Sequence, residues 1–150
     1  MSDENRTGLK TLSTEVEITV RFSETDAMGV IWHGNYLKFF EDAREYFGAQ
    51  YGMGYLDFYG NGYFTPIVKS EINHKAPIYY GQKALVKIRL RYSAAAKLIF
   101  DYEVVNLADG KIAAEGRTTQ VFLLEKDRTL ELIKPDFYSS WEARQDWVHE

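Results

Sequence analysis

The stretch Asn35-Tyr36-Leu37-Lys38-Phe39-Phe40-Glu41-Asp42-Ala43-Arg44-Glu45-Tyr46-Phe47-Gly48-Ala49-Gln50-Tyr51 decides the fold. Tyr36, Leu37, Phe40, Ala43 and Phe47 recur at three- and four-residue steps, while Lys38, Asp42 and Glu45 occupy other positions. An apolar stripe with that period marks an amphipathic helix, here about four to five turns long. Gly48, Gly52 and Gly54 mark its end. Residues 52 to 62, rich in Gly, Tyr and Asn, read as a loop.

On the N-terminal side, Val16, Ile18, Val20 and Phe22 alternate with Glu17, Thr19 and Arg21, the pattern of a half-buried strand. Residues 1–13 read as a flexible arm and 14–150 as a single domain. Ser23 to Gly29 has the composition of a turn. On the C-terminal side, strands are expected over Phe64–Lys75, Lys83–Tyr92, Lys97–Asn106 and Lys111–Leu124. Asp109-Gly110 signals a hairpin, and the length of the last strand suggests curvature or a bulge near Gly116. Residues 135–148 close the chain as a short helix containing Trp141 and Trp147. Hairpin links imply an antiparallel sheet. Such a sheet must cover an apolar face, and the only long helix available is 35–51. The expected class is α+β, a curved antiparallel sheet wrapped around one helix.

The bulk numbers narrow the functional classes. The chain has 150 residues, 45% hydrophobic and 15% aromatic, with a formal net charge of -4. That suits one globular domain and gives no electrostatic reason for nucleic acid or an anionic membrane as partner. The absence of cysteine excludes a disulfide scaffold, a Cys-based zinc site and a thiol nucleophile. The polar start from Met1 to Leu12 lacks a secretory h-region, so the expected location is the cytoplasm.

Thr25 to Asn35, between the first strand and the helix, holds the densest set of chemically useful side chains. Asp26 and His33 flank Gly29 and are followed by Gly34-Asn35. A helix N-terminus carries unpaired N–H groups and partial positive charge, and it can hold a developing oxyanion. Asp26, folded back through the Gly29 turn, would bring a carboxylate to the same place. The plainer reading of Asp26 is an Asx turn or a cap, and that of His33 a cap or a hydrogen-bonded surface residue. No second His or Cys follows His33 at ligand spacing, so no metal is expected. His74 within a strand and His149 near the terminus read as structural or solvated. Glu41 and Asp42 lie on the helix, where ion pairing with Arg44 or a solvent-facing role is the plainer account. There is no Gly-x-Ser-x-Gly elbow, P-loop or dinucleotide fingerprint.

The run Thr25-Asp26-Ala27-Met28-Gly29-Val30-Ile31-Trp32-His33-Gly34-Asn35-Tyr36-Leu37, continuing Phe39-Phe40-Glu41-Asp42-Ala43-Arg44, resembles the 4-hydroxybenzoyl-CoA thioesterase family. Those proteins carry Asp-x-x-Gly-Val-x-x-His-x-x-Tyr leading into the central helix, often followed by Glu-x-Ala-Arg. The resemblance covers about residues 15 to 133. It implies a hot-dog fold and hydrolysis of an acyl-CoA thioester, with no cofactor beyond the CoA of the substrate. It implies that Asp26 attacks the carbonyl or activates water, and that amides near His33 and Gly34 receive the carbonyl oxygen. It also implies that the His33 imidazole orients water or thioester, that Tyr36 lines the acyl pocket, and that Glu41 lies near the acyl group. A homodimer or homotetramer with sites at the subunit interface is implied too, with Lys69, Lys75, Arg89, Arg91 and Lys97 as candidates for the CoA phosphates. Two other readings stay open: a hot-dog acyl-thioester hydratase or dehydratase, and a non-catalytic acyl-CoA binder.

Overall fold

A computed structural model describes residues 9–150. In chain order it contains β1 (Lys10–Thr19), α1 (Asn35–Tyr51), α2 (Tyr55–Gly60), β2 (Tyr63–Phe64), β3 (Ile67–His74), β4 (Lys83–Arg91), β5 (Lys97–Asn106), β6 (Ile112–Val121), β7 (Leu123–Leu124), α3 (Asp136–Ala143) and β8 (Val148–His149). Six strands form one sheet in the order β3-β6-β5-β4-β1-β8, and every pairing is antiparallel. β2 and β7 pair separately.

The sheet and α1 bury one face each against the other. Ala84, Val86, Ile88 and Leu90 of β4 are buried at every second position, as are Leu98, Phe100, Tyr102 and Val104 of β5. From α1 come Tyr36, Phe39, Phe40, Ala43 and Phe47. Phe40 stacks on Tyr102 with ring centres 4.1 Å apart, and Phe47 meets Phe100 edge-on at 5.3 Å. This is the antiparallel sheet packed on one long helix that the periodicity implied, and the hot-dog fold that the resemblance implied. Leu37 does not belong to the buried stripe: it is 44% exposed, and Phe39 takes the inward position.

Several expectations shift in detail. β1 begins at Lys10, so residues 10 to 13 of the expected arm belong to a strand, with Thr11, Leu12 and Ser13 opposite Arg91, Leu90 and Arg89. Residues 1–8 of that arm lie outside the described residues. The strand stops at Thr19, and Phe22 is exposed at the start of a 3-10 turn (Phe22–Glu24) rather than facing the core. The stretch read as a loop contains α2, and the amide of Gly54, just before it, donates to the Asp57 carboxylate at 2.7 Å. α3 ends at Ala143, and the chain then returns to pair β8 with β1. Among the described residues no helix is long and apolar enough to cross a membrane.

The bulges are not at Gly116. One is at Val68, between the Ile67–Gln120 and Lys69–Thr119 pairs; the other is at Ala113, where β6 is out of step with Val104 and Val105. Gly116 serves packing instead. A Cβ there would lie 2.5 Å from the Phe40 ring and 2.8 Å from the Glu71 carbonyl oxygen. The missing side chain lets α1 settle onto the sheet. Gly116→Ala is therefore expected to destabilise the fold by about 1–3 kcal/mol, read as a lower urea midpoint. An unchanged midpoint would show that Phe40 has room to move.

Candidate active site

The site is assembled where the chain leaves β1 and turns into α1. Glu24, at the end of the 3-10 turn, is 3% exposed and bonds to both sides of this turn. Its carbonyl accepts from the Trp32 amide at 2.9 Å and from Asn35 Nδ2 at 2.8 Å. Its carboxylate accepts from the Arg21 amide at 2.8 Å and from Lys38 Nζ at 3.2 Å. Burial alone would raise the pKa of this carboxyl. The Arg21 amide and the Lys38 and Arg21 side chains more than offset it, and the pKa lies below the ordinary glutamate value.

Asp26 follows in a tight turn. Its amide donates to the Val30 carbonyl at 2.9 Å, and its carbonyl accepts from Gly29 at 3.0 Å. Gly29 has φ +77°, a left-handed conformation that favours glycine. One carboxylate oxygen of Asp26, Oδ1, accepts from the Met28 amide at 2.8 Å, which is an Asx turn. That plainer reading is therefore correct for one oxygen. Oδ2 has no hydrogen-bond donor among the described residues. The turn is pinned from outside, because the Ile31 amide donates to Ile78 at 2.8 Å and the Tyr80 amide to Gly29 at 2.8 Å.

Gly34 immediately precedes α1. The Asn35 amide donates to Trp32 at 2.9 Å and the Tyr36 amide to His33 at 3.3 Å. The amides of His33 and Gly34 have no acceptor among the described residues. No side chain caps the helix, and its first turn holds no acidic residue. The positive end of a 17-residue helix is thus left without an anionic side chain of its own. A Cβ on Gly34 would meet the half-exposed Trp32 ring, which would have to swing aside to admit it.

His33 is exposed, and its ring lies 5.0 Å from that of Trp32 and 6.2 Å from that of His74. Tyr36 is buried, with its ring 5.2 Å from His74, and burial raises its hydroxyl pKa. His33, Gly34 and Tyr36 therefore share the helix start, and the Asp26 turn is fastened to the same loop. Glu41 lies apart from them, further along α1 and exposed. His74, read from sequence as structural or solvated, comes to this cluster at the end of β3, its ring against those of His33 and Tyr36. Its only sequence signal was an isolated imidazole at the end of a strand. Glu24 gave no signal as a site residue. Of the basic residues considered for CoA phosphates, Lys69, Lys75, Arg89 and Arg91 pair with Glu71, Glu115, Glu150 and Asp101. Lys97 has no ion pair among the described residues.

The sequence and fold have relatives. The model of the thioesterase-like superfamily matches residues 20–140. The Bacillus subtilis protein YneP, named provisionally as an acyl-CoA thioesterase, is 30% identical over 129 residues, covering 84% of this chain and 93% of that protein. The 1,4-dihydroxy-2-naphthoyl-CoA hydrolase of Thermosynechococcus vestitus is 29% identical, covering 82% and 84%. A crystal structure of the DHNA-CoA thioesterase from Staphylococcus aureus superposes with a TM-score of 0.77 at 32% identity, covering 87% of each chain.

The Glu24 contacts make a prediction about folding. A carboxyl with a lowered pKa in the folded state contributes stability above the ordinary glutamate value, and loses it as pH falls through the lowered one. Glu24→Gln is expected to cost about 1–3 kcal/mol at neutral pH and to flatten the acid limb of the stability profile. Chemical denaturation across pH tests this; parallel profiles for the two proteins would contradict it.

Proposed function

The chain belongs to the thioesterase-like superfamily, and from that premise we propose that it hydrolyses acyl-CoA thioesters to a free acid and CoA, with Asp26 acting on the carbonyl carbon. Within the superfamily, the Asp26-to-Arg44 motif resembles that of the 4-hydroxybenzoyl-CoA thioesterase family, and that resemblance supports the reading. The observation that carries the mechanistic reading is the pair of unpaired amides, His33 and Gly34, at the start of a helix without a capping side chain.

A thioester carbonyl held by these two amides has its oxygen where negative charge develops. Asp26, with Oδ2 free, acts either as the nucleophile or as the base that takes a proton from an attacking water. In the water route a C–O bond forms and the carbonyl oxygen becomes an oxyanion held by the amides. The C–S bond then breaks as the carbonyl re-forms, and the CoA sulfur leaves and takes up a proton. In the nucleophilic route an acyl-aspartyl anhydride forms first and water cleaves it. In a single turnover in 18O-labelled water, the water route puts the label in the product acid alone, whereas label in Asp26 with an unlabelled acid marks an anhydride cleaved at the aspartyl carbon. General base help is worth about 10²–10⁴-fold and one oxyanion donor about 10²–10³-fold, so an activated ester needs no further device. The His33 imidazole orients the water or thioester, Tyr36 borders the acyl group, and Glu41 lies further along its path.

The enzyme is proposed to work as a homodimer or homotetramer with sites at the subunit interface. Supporting this, β3 is an edge of the sheet, and its Ile67 and Val68 are 40% and 60% exposed. An open edge of that kind favours pairing with another chain. Sedimentation at micromolar concentration is expected to return a mass of two or four chains, and a monomer that retains full activity would contradict an interfacial site.

Thiol release from a panel of acyl-CoAs tests the activity. Asn at position 26 retains the oxygen that accepts from Met28, so Asp26→Asn preserves the turn while removing the charge. It is expected to lower turnover by at least about 10²-fold with an unchanged melting temperature. An active Asp26→Asn protein would move the chemistry elsewhere. His33→Ala is expected to lose less, since the amide remains. A loss equal to that of Asp26→Asn would make the imidazole itself essential.

A further inference from the structure

Hydrolysis of a thioester at this site leaves one proton without a donor. When the C–S bond breaks, its electron pair goes to sulfur, and the thiolate has to be protonated. In the nucleophilic route Asp26 is bonded to the acyl carbon and has no proton to give. In the water route the proton it accepts lies on the side of the attacking oxygen. A separate acid beside the helix start would complete either route.

His74 lies there. Its ring is 5.2 Å from that of Tyr36 and 6.2 Å from that of His33, edge-on to both. It is exposed, as is His33, and among the described residues neither ring is hydrogen-bonded or ion-paired. Its nitrogens are therefore open to a ligand. An imidazole suits the task, because it holds and releases a proton near neutral pH. Other groups near the helix start suit it less. The Lys38 ammonium is tied to Glu24 at 3.2 Å. Tyr36 is buried, and burial makes its hydroxyl a weaker acid.

The chain that carries His74 is fastened at both ends. His74 pairs with Ala114 of β6, and the next two amides, of Lys75 and Ala76, both donate to the Ala113 carbonyl, at 2.8 and 3.1 Å. Further on, the Ile78 carbonyl accepts from the Ile31 amide and the Tyr80 amide donates to Gly29, each at 2.8 Å. Residues 74–80 thus tie the end of the sheet to the turn that bears Asp26. The His33 and Gly34 amides follow that turn directly. In a thioester, oxygen and sulfur share one carbon, so a carbonyl held at these amides brings its sulfur to the same place.

We propose that His74 is a second catalytic residue, the acid whose ring N–H meets the departing sulfur and protonates it as the C–S bond breaks. The N–H bond breaks, the S–H bond forms, and the neutral imidazole regains its proton from water. This assignment rests on the thioesterase reading.

Esters of thiols of different acidity separate this role from simple packing against Tyr36. An arenethiol is a much stronger acid than the alkanethiol of CoA and departs as the thiolate without help. The two substrates are the acyl-CoA that the wild type hydrolyses fastest and the S-phenyl thioester of the same acid. In His74→Gln, kcat/KM for the acyl-CoA is expected to fall by at least about 10²-fold, and that for the phenyl ester by less than about threefold. The melting temperature is expected to be unchanged. Equal losses with the two esters would reduce His74 to a packing residue, and no loss with either would leave it without a role in the reaction; each result overturns the proposal. A wild-type protein that releases thiol from neither ester would remove the thioesterase reading, and the proposal with it.

Discussion

Glu24 binds both sides of the turn that leads from β1 into α1, through its carbonyl to Trp32 and Asn35 and through its carboxylate to Arg21 and Lys38. The proposed oxyanion site at the helix start has a built-in conflict. Its amides must stay free of acceptors, yet unpaired amides give the chain nothing to hold them in place. Here the holding is done from behind. Asn35 and Lys38, beside and beyond the free amides, are tethered to a buried carboxyl residue, so the His33 and Gly34 N–H groups are placed without being used.

The same requirement for rigidity extends into the core. The amides can be no better positioned than α1 itself, and α1 is seated by the stack of Phe40 on Tyr102 and by the gap left at Gly116. Tyr102 is in turn held by Thr118 at 2.6 Å and by Arg44 at 2.9 Å. A polar network thus crosses the helix–sheet interface near its centre. Helix, sheet and site share one set of contacts, and preorganised donors act only as well as their support allows.

Much of this was legible in the chain because it is local. Alternation located β4 and β5 almost to the residue, since half-buried strands with one apolar face repeat every two residues. The helix was legible from Tyr36, Phe40, Ala43 and Phe47, and the candidate site from the crowding of Asp26, His33 and Gly34 just before it. What escaped was non-local. Leu37 and Phe39 both fit a broad helical stripe, and only the position of the sheet decides between them. The bulges at Val68 and Ala113 depend on register between strands. Residues 10 to 13 have no strong period and are held by β4 and β8. Glu24 and His74 reach the site through contacts 14 and dozens of residues away in sequence, respectively, and neither carries a local signal of its role. Glu41, grouped with the others by motif, is separated from them by the rise of the helix.

The central claim is that the amides of His33 and Gly34 receive the carbonyl oxygen. Amide 15N shifts of Asp26→Asn protein, titrated with an unhydrolysed acyl-CoA, test it most directly. The account predicts that the His33 and Gly34 resonances move most, in the direction of a new hydrogen bond, with Trp32 following. Saturating ligand that leaves both resonances in place while others shift would contradict it.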